Sequence, residues 1–512
     1  MSVPLLPLAA LPPLLAALAF VAAPGRRPGR LPALAEGAVL AALFLALAGA
    51  VQVALGGPQP AGSGLLAGDR IAAILASLVA FIGWVVVRYT RRYLDGEARE
   101  GRFHGLLLAA VGTVLATVQA GSLALLVAGL AVTGLLVERL LRFYPERAEA
   151  VRAARKFRLA WRTSDALLLG VAGLFWVAFG TLDLAALREA AAGGLPPVAQ
   201  AGVMLAALSA LLRTAAFPVH GWLTEVMEAP TPVSALLHAG IINSGGVVLI
   251  LLAPLVQASP AAMATLVLVG GFSALFGASV MLTQSAVKTA LAWSTVAQMG
   301  FMLMQCGLGL WALALLHIVA HSLYKAHAFL ASGGAVIEVR DRRRPGPVAT
   351  PGPMAVTRAF AIALAVYAAA ATASGLVLGP KSAQALAIGA ILVFGIAYLV
   401  AQGLADAAPG ALTRRTIAAS VAATLAYFAF HALAESVAGP ALPAPPVPSP
   451  LEWALLAVAL LSFGAVAVAQ ALFPLWAHHP AAAGLRVHLA NGLYVNALLD
   501  RLTGGLGTRT AA

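Results

Sequence analysis

The chain has 512 residues, 61% hydrophobic and 10% charged, with a formal net charge of +13 and a mean hydropathy of +0.93. That composition excludes a soluble globular domain and describes an all-α polytopic membrane protein. A single cysteine, Cys306, excludes an internal disulfide, a cysteine-ligated iron–sulfur centre and a cysteine-based structural zinc site. No Gly-rich phosphate loop follows a strand pattern, so neither a nucleotide cofactor nor nucleic acid has support.

Apolar runs of about 20 residues, bounded by Gly, Pro or charge, mark transmembrane helices. They predict spans near 3–23, 33–55, 71–90, 103–119, 121–143, 165–186, 196–224, 232–257, 261–284, 287–306, 308–337, 353–377, 383–404, 414–436 and 451–475. That is about 15 transmembrane helices. The first lacks a basic region before its apolar run, and Arg26, Arg27 and Arg30 come after it. It reads as an uncleaved span with its N-terminus outside.

Alternate connections, starting with the first, collect most of the 32 Lys and Arg. They include Arg88 to Arg102, Arg139 to Arg162, Arg340 to Arg344 with Arg358, and Arg414 with Arg415, and the tail adds Arg486, Arg501 and Arg509. The opposite connections hold Arg70, Arg188 and Lys381. The positive-inside rule makes the basic face, with the C-terminus, cytoplasmic. Topology alone accounts for most of that charge; docking of an acidic cytoplasmic partner is a second reading.

The seventh span, L-L-R-T-A-A-F-P-V-H-G-W-L, is broken by Pro218 and Gly221 just after Arg213. The twelfth, A-T-A-S-G-L-V-L-G-P-K-S, holds Gly375, Gly379 and Pro380 just before Lys381. Paired breaks in two halves point to inverted repeats with an ion path at the breaks. The expected organisation is N-terminal helices 1–3 (1–102), a first repeat of helices 4–8 (103–257), a second of helices 9–13 (258–404), C-terminal helices (405–480) and a cytoplasmic amphipathic tail (481–512), with helices 7 and 12 broken. In the other reading helix 12 simply ends at Gly379-Pro380 and Lys381 is a loop residue.

After the first break come Glu225 and Glu228, then T-P-V-S-A-L-L-H, which places His238 two turns into the eighth span. Lys288 opens the tenth span, either snorkelling to the interface or forming the cytoplasmic end of a relay. The eleventh carries His317, His321 and Lys325 at i, i+4, i+8, on one helical face. A charge at mid-bilayer costs about 2.5–3.5 kcal/mol even on the lenient insertion scale, and ionisable residues there usually mark ion or proton movement. Histidines titrate near neutrality and pass a proton in on one ring nitrogen and out on the other. A buried lysine can exchange its proton as a neighbouring charge moves. Ser294, Thr295, Gln298, Ser322 and Tyr324 either order water between these groups or tie helices together. His317 and His321 have metal-ligand spacing, but the residue after His317 is Ile318, not the Glu of an H-E-x-x-H site, which argues against a metal.

T-P-V-S-A-L-L-H-A, K-T-A-L-A-W-S-T-V-A-Q-M-G-F-M and H-I-V-A-H-S-L-Y-K-A-H-A-F-L-A-S-G, in that order, resemble the antiporter-like membrane subunits of respiratory complex I and of multisubunit cation/proton antiporters (the NuoL/Mrp family) over roughly residues 70–400. The resemblance implies a hydrated proton path through Arg213, His238, His317, His321 and Lys325. It also exposes departures. Ala131 takes the position of the family's fifth-helix glutamate, and Arg213 that of its lysine partner. An arginine hardly ever deprotonates, so this half cannot run a Lys/Glu switch; Glu138, two turns on, is a candidate substitute.

Finer details, H-A-G-I-I-N-S-G-G and A-W-S-T-V-A-Q-M-G-F-M-L-M-Q-C-G-L-G, are similar to the DabB-type subunits of inorganic-carbon accumulation complexes. That branch implies a bacterial cytoplasmic (inner) membrane and a DabA-like partner, a large cytoplasmic zinc protein related to β-carbonic anhydrases. It implies a subunit that is not itself an enzyme and that uses a gradient of protons or sodium to drive CO2/bicarbonate accumulation by the partner. The alternative is a cation/proton antiporter subunit of Mrp or complex I type.

Overall fold

The computed structural model describes residues 3–59, 64–334, 352–403 and 410–502. Arg340, Arg342, Arg343, Arg344 and Arg509, and the ends of spans 11 and 13 at residues 335–337 and 404, lie outside the described residues. Among the described residues there is no strand, only the isolated bridges of Leu66 with Ala120 and Ser122 with Asp183. A bilayer offers the backbone no water, and a helix satisfies its own N–H and C=O groups.

A short turn, Leu5–Leu8, precedes α1 (Leu11–Ala19). There follow α2 (Leu31–Gly56), α3 (Arg70–Tyr93), α4 (Glu100–Thr117), α5 (Leu123–Leu141), α6 (Ala148–Phe179) and α7 (Pro197–Arg213). Next come α8 (Thr231–Leu251), α9 (Pro260–Met281), α10 (Val287–Gly307) and α11 (Trp311–Ala331). Then come α12 (Pro353–Leu378), α13 (Ala383–Gly403), α14 (Gly410–Val437) and α15 (Pro450–Ala471). Two tail helices, α16 (Pro480–Ala490) and α17 (Val495–Leu502), close the described chain. A helix therefore stands at each predicted span, and 10 helices among the described residues are long and apolar enough to cross a membrane.

Four elements differ from expectation. The first span is a broken pair of short helices, because Pro12 and Pro13 set a new helix start there. Helix α6 begins at Ala148, well before residue 165; its 32 residues reach about 48 Å at 1.5 Å each, so a basic stretch extends past the apolar one. Helix α12 is not broken: it runs through Gly375 to Leu378 and stops at Gly379, whose φ of +86° ends it. One mid-helix glycine costs only about 1 kcal/mol, and Lys381 sits in the α12–α13 loop. The additional break is in α8, where Thr231–Ala239 stops at Gly240 and a 3-10 turn leads to Ser244–Leu251. The Asn243 side chain donates to the Ala239 carbonyl at 3.0 Å, satisfying an acceptor the break would leave open.

Alternate connections share a face. On one, Arg27 pairs with Asp95 (3.2 Å), Arg99 with Glu146 (3.6 Å) and Arg147 with Glu228 (3.5 Å). On the other, Arg188 pairs with Asp69 (3.6 Å), and Gln257 and Gln384 donate to the carbonyls of Ala444 (2.8 Å) and Pro446 (2.6 Å). Helices α9 and α10 pack most intimately. A Cβ at Gly300 would lie 2.5 Å from the Ala274 nitrogen and 2.6 Å from the Gly270 carbonyl, so the two backbones touch, as small residues allow in membranes. That contact fixes α10, which faces the polar row of α11.

Candidate functional site

Polar groups from α8 and α11 gather around α10. Lys325, wholly buried on α11, donates to the Leu291 carbonyl at 3.0 Å and to the Ser294 hydroxyl. Thr295 donates to the same carbonyl at 3.0 Å, and its hydroxyl lies 3.1 Å from His238 Nδ1. Lys325 and His238, from different helices, are thus joined through one turn of α10. The His238 ring stacks on Phe329 at 4.2 Å between centroids, and its Nε2 has no protein partner.

From Lys325 the row runs along α11. His321 is 4% exposed, with neither ring nitrogen partnered by protein. His317 follows, 6.0 Å away between centroids, with its Nδ1 3.1 Å from Gln305 Oε1 on α10. Beside the row, Asn243 donates to Ser322 at 3.0 Å, which ties the α8 break to α11. Buried nitrogens without protein partners are where ordered water is needed. Tyr324 is 52% exposed, and its ring centroid lies 5.5 Å from Lys325 Nζ.

Toward the basic face, Lys288 donates to Thr231 at the start of α8 (3.1 Å). Glu228 pairs with Arg147, and Glu225 Oε1 lies 2.6 Å from Lys156 Nζ. Lys156 also binds Asp500 of α17 at 2.6 Å, a contact that neither spacing nor composition announces. Asn496 of the same helix donates to Thr224 at 3.3 Å. Gly492 lies over Trp293 and, just beneath, the buried His220. The tail therefore packs across the α7 break.

The junction of α6 and α7 is built differently. Arg213, wholly buried at the end of α7, places Nη2 2.5 Å from Asp165 Oδ1 on α6, and its Cζ lies 4.5 Å from the Trp161 ring centroid. Arg162 holds the other Asp165 oxygen at 2.8 Å. Arg213 thus has a carboxylate partner, from α6 rather than α5. Sequence reasoning misses Asp165 because it opens the predicted sixth span, where an acid reads as a bilayer edge. Glu138 pairs instead with Arg158 at 3.3 Å. A mostly apolar cavity, with Thr133 and Trp161 toward the Arg213 pair and Asn243 and Ser322 toward the histidine row, lies between the two.

The structure thus brings His238, Lys325, His321 and His317 together, with Lys288 and Glu225 nearer the basic face. It leaves Arg213 apart, with Asp165 of α6, and Lys381 at the opposite end, near Glu435.

Residues 120–379 match the pattern of the NADH:quinone oxidoreductase/Mrp antiporter transmembrane family. The chain is 38% identical to the probable inorganic carbon transporter subunit DabB2 of Halothiobacillus neapolitanus over 471 residues, 87% of this chain and 82% of that protein. It is 42% identical to the probable inorganic carbon transporter subunit DabB of Hydrogenovibrio crunogenus over 284 residues, 55% of either chain. The fold also resembles a chain of the Mrp complex from Dietzia sp. DQ12-45-1b, with a TM-score of 0.64 at 22% identity, covering 99% of this chain and 60% of that one.

Proposed function

The chain belongs to the NADH:quinone oxidoreductase/Mrp antiporter family of membrane subunits, together with the DabB subunits of inorganic carbon transporters, and from that premise we propose that it conducts protons to drive inorganic carbon accumulation. The path runs through His317, His321, Lys325 and His238, then past Lys288, Glu225 and Glu228 toward the cytoplasm, which the basic face adjoins. The partner is a large cytoplasmic zinc protein of DabA type that hydrates CO2, and this chain supplies the driving force, not the bond chemistry. The assembly sits in a bacterial cytoplasmic membrane with this chain's N-terminus outside.

The observation that carries the reading is the junction at α10. Lys325 and His238 both reach the turn from Leu291 to Thr295, so a proton on Lys325 and the orientation of His238 are linked through one element. Movement of one charge across 100 mV yields about 2.3 kcal/mol, enough to bias a two-state partner roughly 50-fold. Arg213, fixed to Asp165, serves as a standing charge in the first half.

Replacement of Lys325 by Ala in a correctly assembled complex tests the reading: bicarbonate accumulation in cells should collapse to the level of the deletion strain, and full accumulation would refute it. The antiporter alternative, which the fold likeness to the Mrp complex favours, predicts instead that deletion causes sodium sensitivity that raised CO2 does not relieve.

A further inference from the structure

We propose that His431 and Glu435 on α14 form the outer portal of the proton path, on the face opposite the basic one. This rests on the path proposed above through α8, α10 and α11. His431 is 3% exposed, and its Nε2 lies 3.5 Å from Glu435 Oε1, whose side chain is 41% exposed. Its Nδ1 is buried without a protein partner. One ring nitrogen therefore meets a carboxylate open to the surface, and the other faces the interior.

Three observations converge on this pair. Among the described residues from 229 to 499, only Glu435 and Glu452 are acidic, and Glu452 is engaged in the Ser449 capping box at the start of α15. Glu435 is thus the acid that can collect protons for a row otherwise made of His and Lys. Helices α11 and α14 pack against each other. His317 lies six residues from the Trp311 end of α11 and His431 six from the Val437 end of α14, both about 9 Å deep at 1.5 Å per residue. Glu435 and Trp311 line one cavity with the loop Leu442–Pro445, which opens between these two ends.

Glu435 takes a proton from outer water and hands it to His431 Nε2. The imidazolium releases its Nδ1 proton inward toward the α11 row, and a flip of the ring then exchanges the two nitrogens so that a bare nitrogen again faces Glu435. The charged and titratable neighbours are Lys381 in the α12–α13 loop, whose charge acts on Glu435, Tyr427 on α14, 5.9 Å from the His431 ring, and Tyr367 on α12. Tyr427 and Tyr367 each donate to a backbone carbonyl at 2.6 Å, so neither competes for the proton.

The test is proton entry into vesicles carrying the full complex, measured against outer and inner pH, for Glu435→Gln, Glu435→Asp, His431→Phe, His431→Gln and Lys325→Ala. Glu435→Gln and both His431 variants should slow entry roughly tenfold or more and flatten its dependence on outer pH, with inner-pH dependence unchanged; Glu435→Asp should retain it. His431→Gln keeps the test valid should the bulkier Phe prevent assembly. Full rates with unchanged outer-pH dependence in the Glu435 and His431 variants, beside a dead Lys325→Ala, would overturn the portal alone. Full rates in Lys325→Ala as well would overturn the path itself.

Discussion

At the scale of residues, Arg213 and Lys325 are buried charges held in different ways. Arg213 is paired, stacked on Trp161 and wholly buried, so it behaves as a fixed point. Removing one partner of a buried ion pair leaves the other charge exposed to low dielectric. Asp165→Asn should therefore destabilise the protein by about 3–5 kcal/mol, read as a loss of thermal stability in detergent, whereas Asp165→Leu with Arg213→Met should recover much of it. The bridge at α10 is the contrasting case. Thr295→Val removes the hydroxyl facing His238 Nδ1, and proton entry should fall roughly tenfold with assembly retained; an unchanged rate would show the bridge to be structural only. Lys325 and the three histidines are legible in the sequence because titratable groups stand out against an apolar run. Asp165 is not, since an acid at a predicted helix edge carries no sign of what it faces. Glu435 lies beyond the motifs, on a helix whose neighbour in space, α11, is about a hundred residues away in sequence.

Among elements, breaks matter more than spans. The seventh is legible because Pro218 lacks an N–H and cannot extend a helix. The break at Gly240 is hidden, because a single glycine breaks a helix only where tertiary contacts, here Asn243 with Ala239 and Ser322, supply replacement hydrogen bonds. The twelfth span stays whole despite its glycines, because Gly375 has open space around it and nothing to pull the helix apart. The tail is an element whose amphipathic pattern is visible in the sequence and whose place is not. A Cβ at Gly221 would collide with Asn496 Oδ1, so Gly221→Leu should dislodge α17. Limited proteolysis should then cut near residues 491–495 in the variant and spare the parent; equal protection in both would mean that the tail is held by other contacts.

Over the whole molecule, the alternation of connections is legible from the amino-acid sequence alone, because the basic residues repeat it. Ion pairs among the connections gather each set on its own face. The positive-inside rule assigns the basic face to the cytoplasm, and that assignment can be checked directly. In a Cys306→Ser background, Arg188→Cys should react with a membrane-impermeant thiol reagent in intact cells, and Arg152→Cys only after permeabilisation; the reverse pattern would invert the molecule. The asymmetry of the halves is partly legible, through Ala131 and Arg213. Its physical form, a locked ion pair separated by an apolar cavity from a partly unsatisfied histidine row, depends on packing that no run of sequence displays. The most direct measurement is proton entry into liposomes containing the purified complex under an imposed pH gradient and membrane potential. The path through α11 predicts entry in the parent and its loss in Lys325→Ala at equal protein content; parental rates in that variant would contradict it.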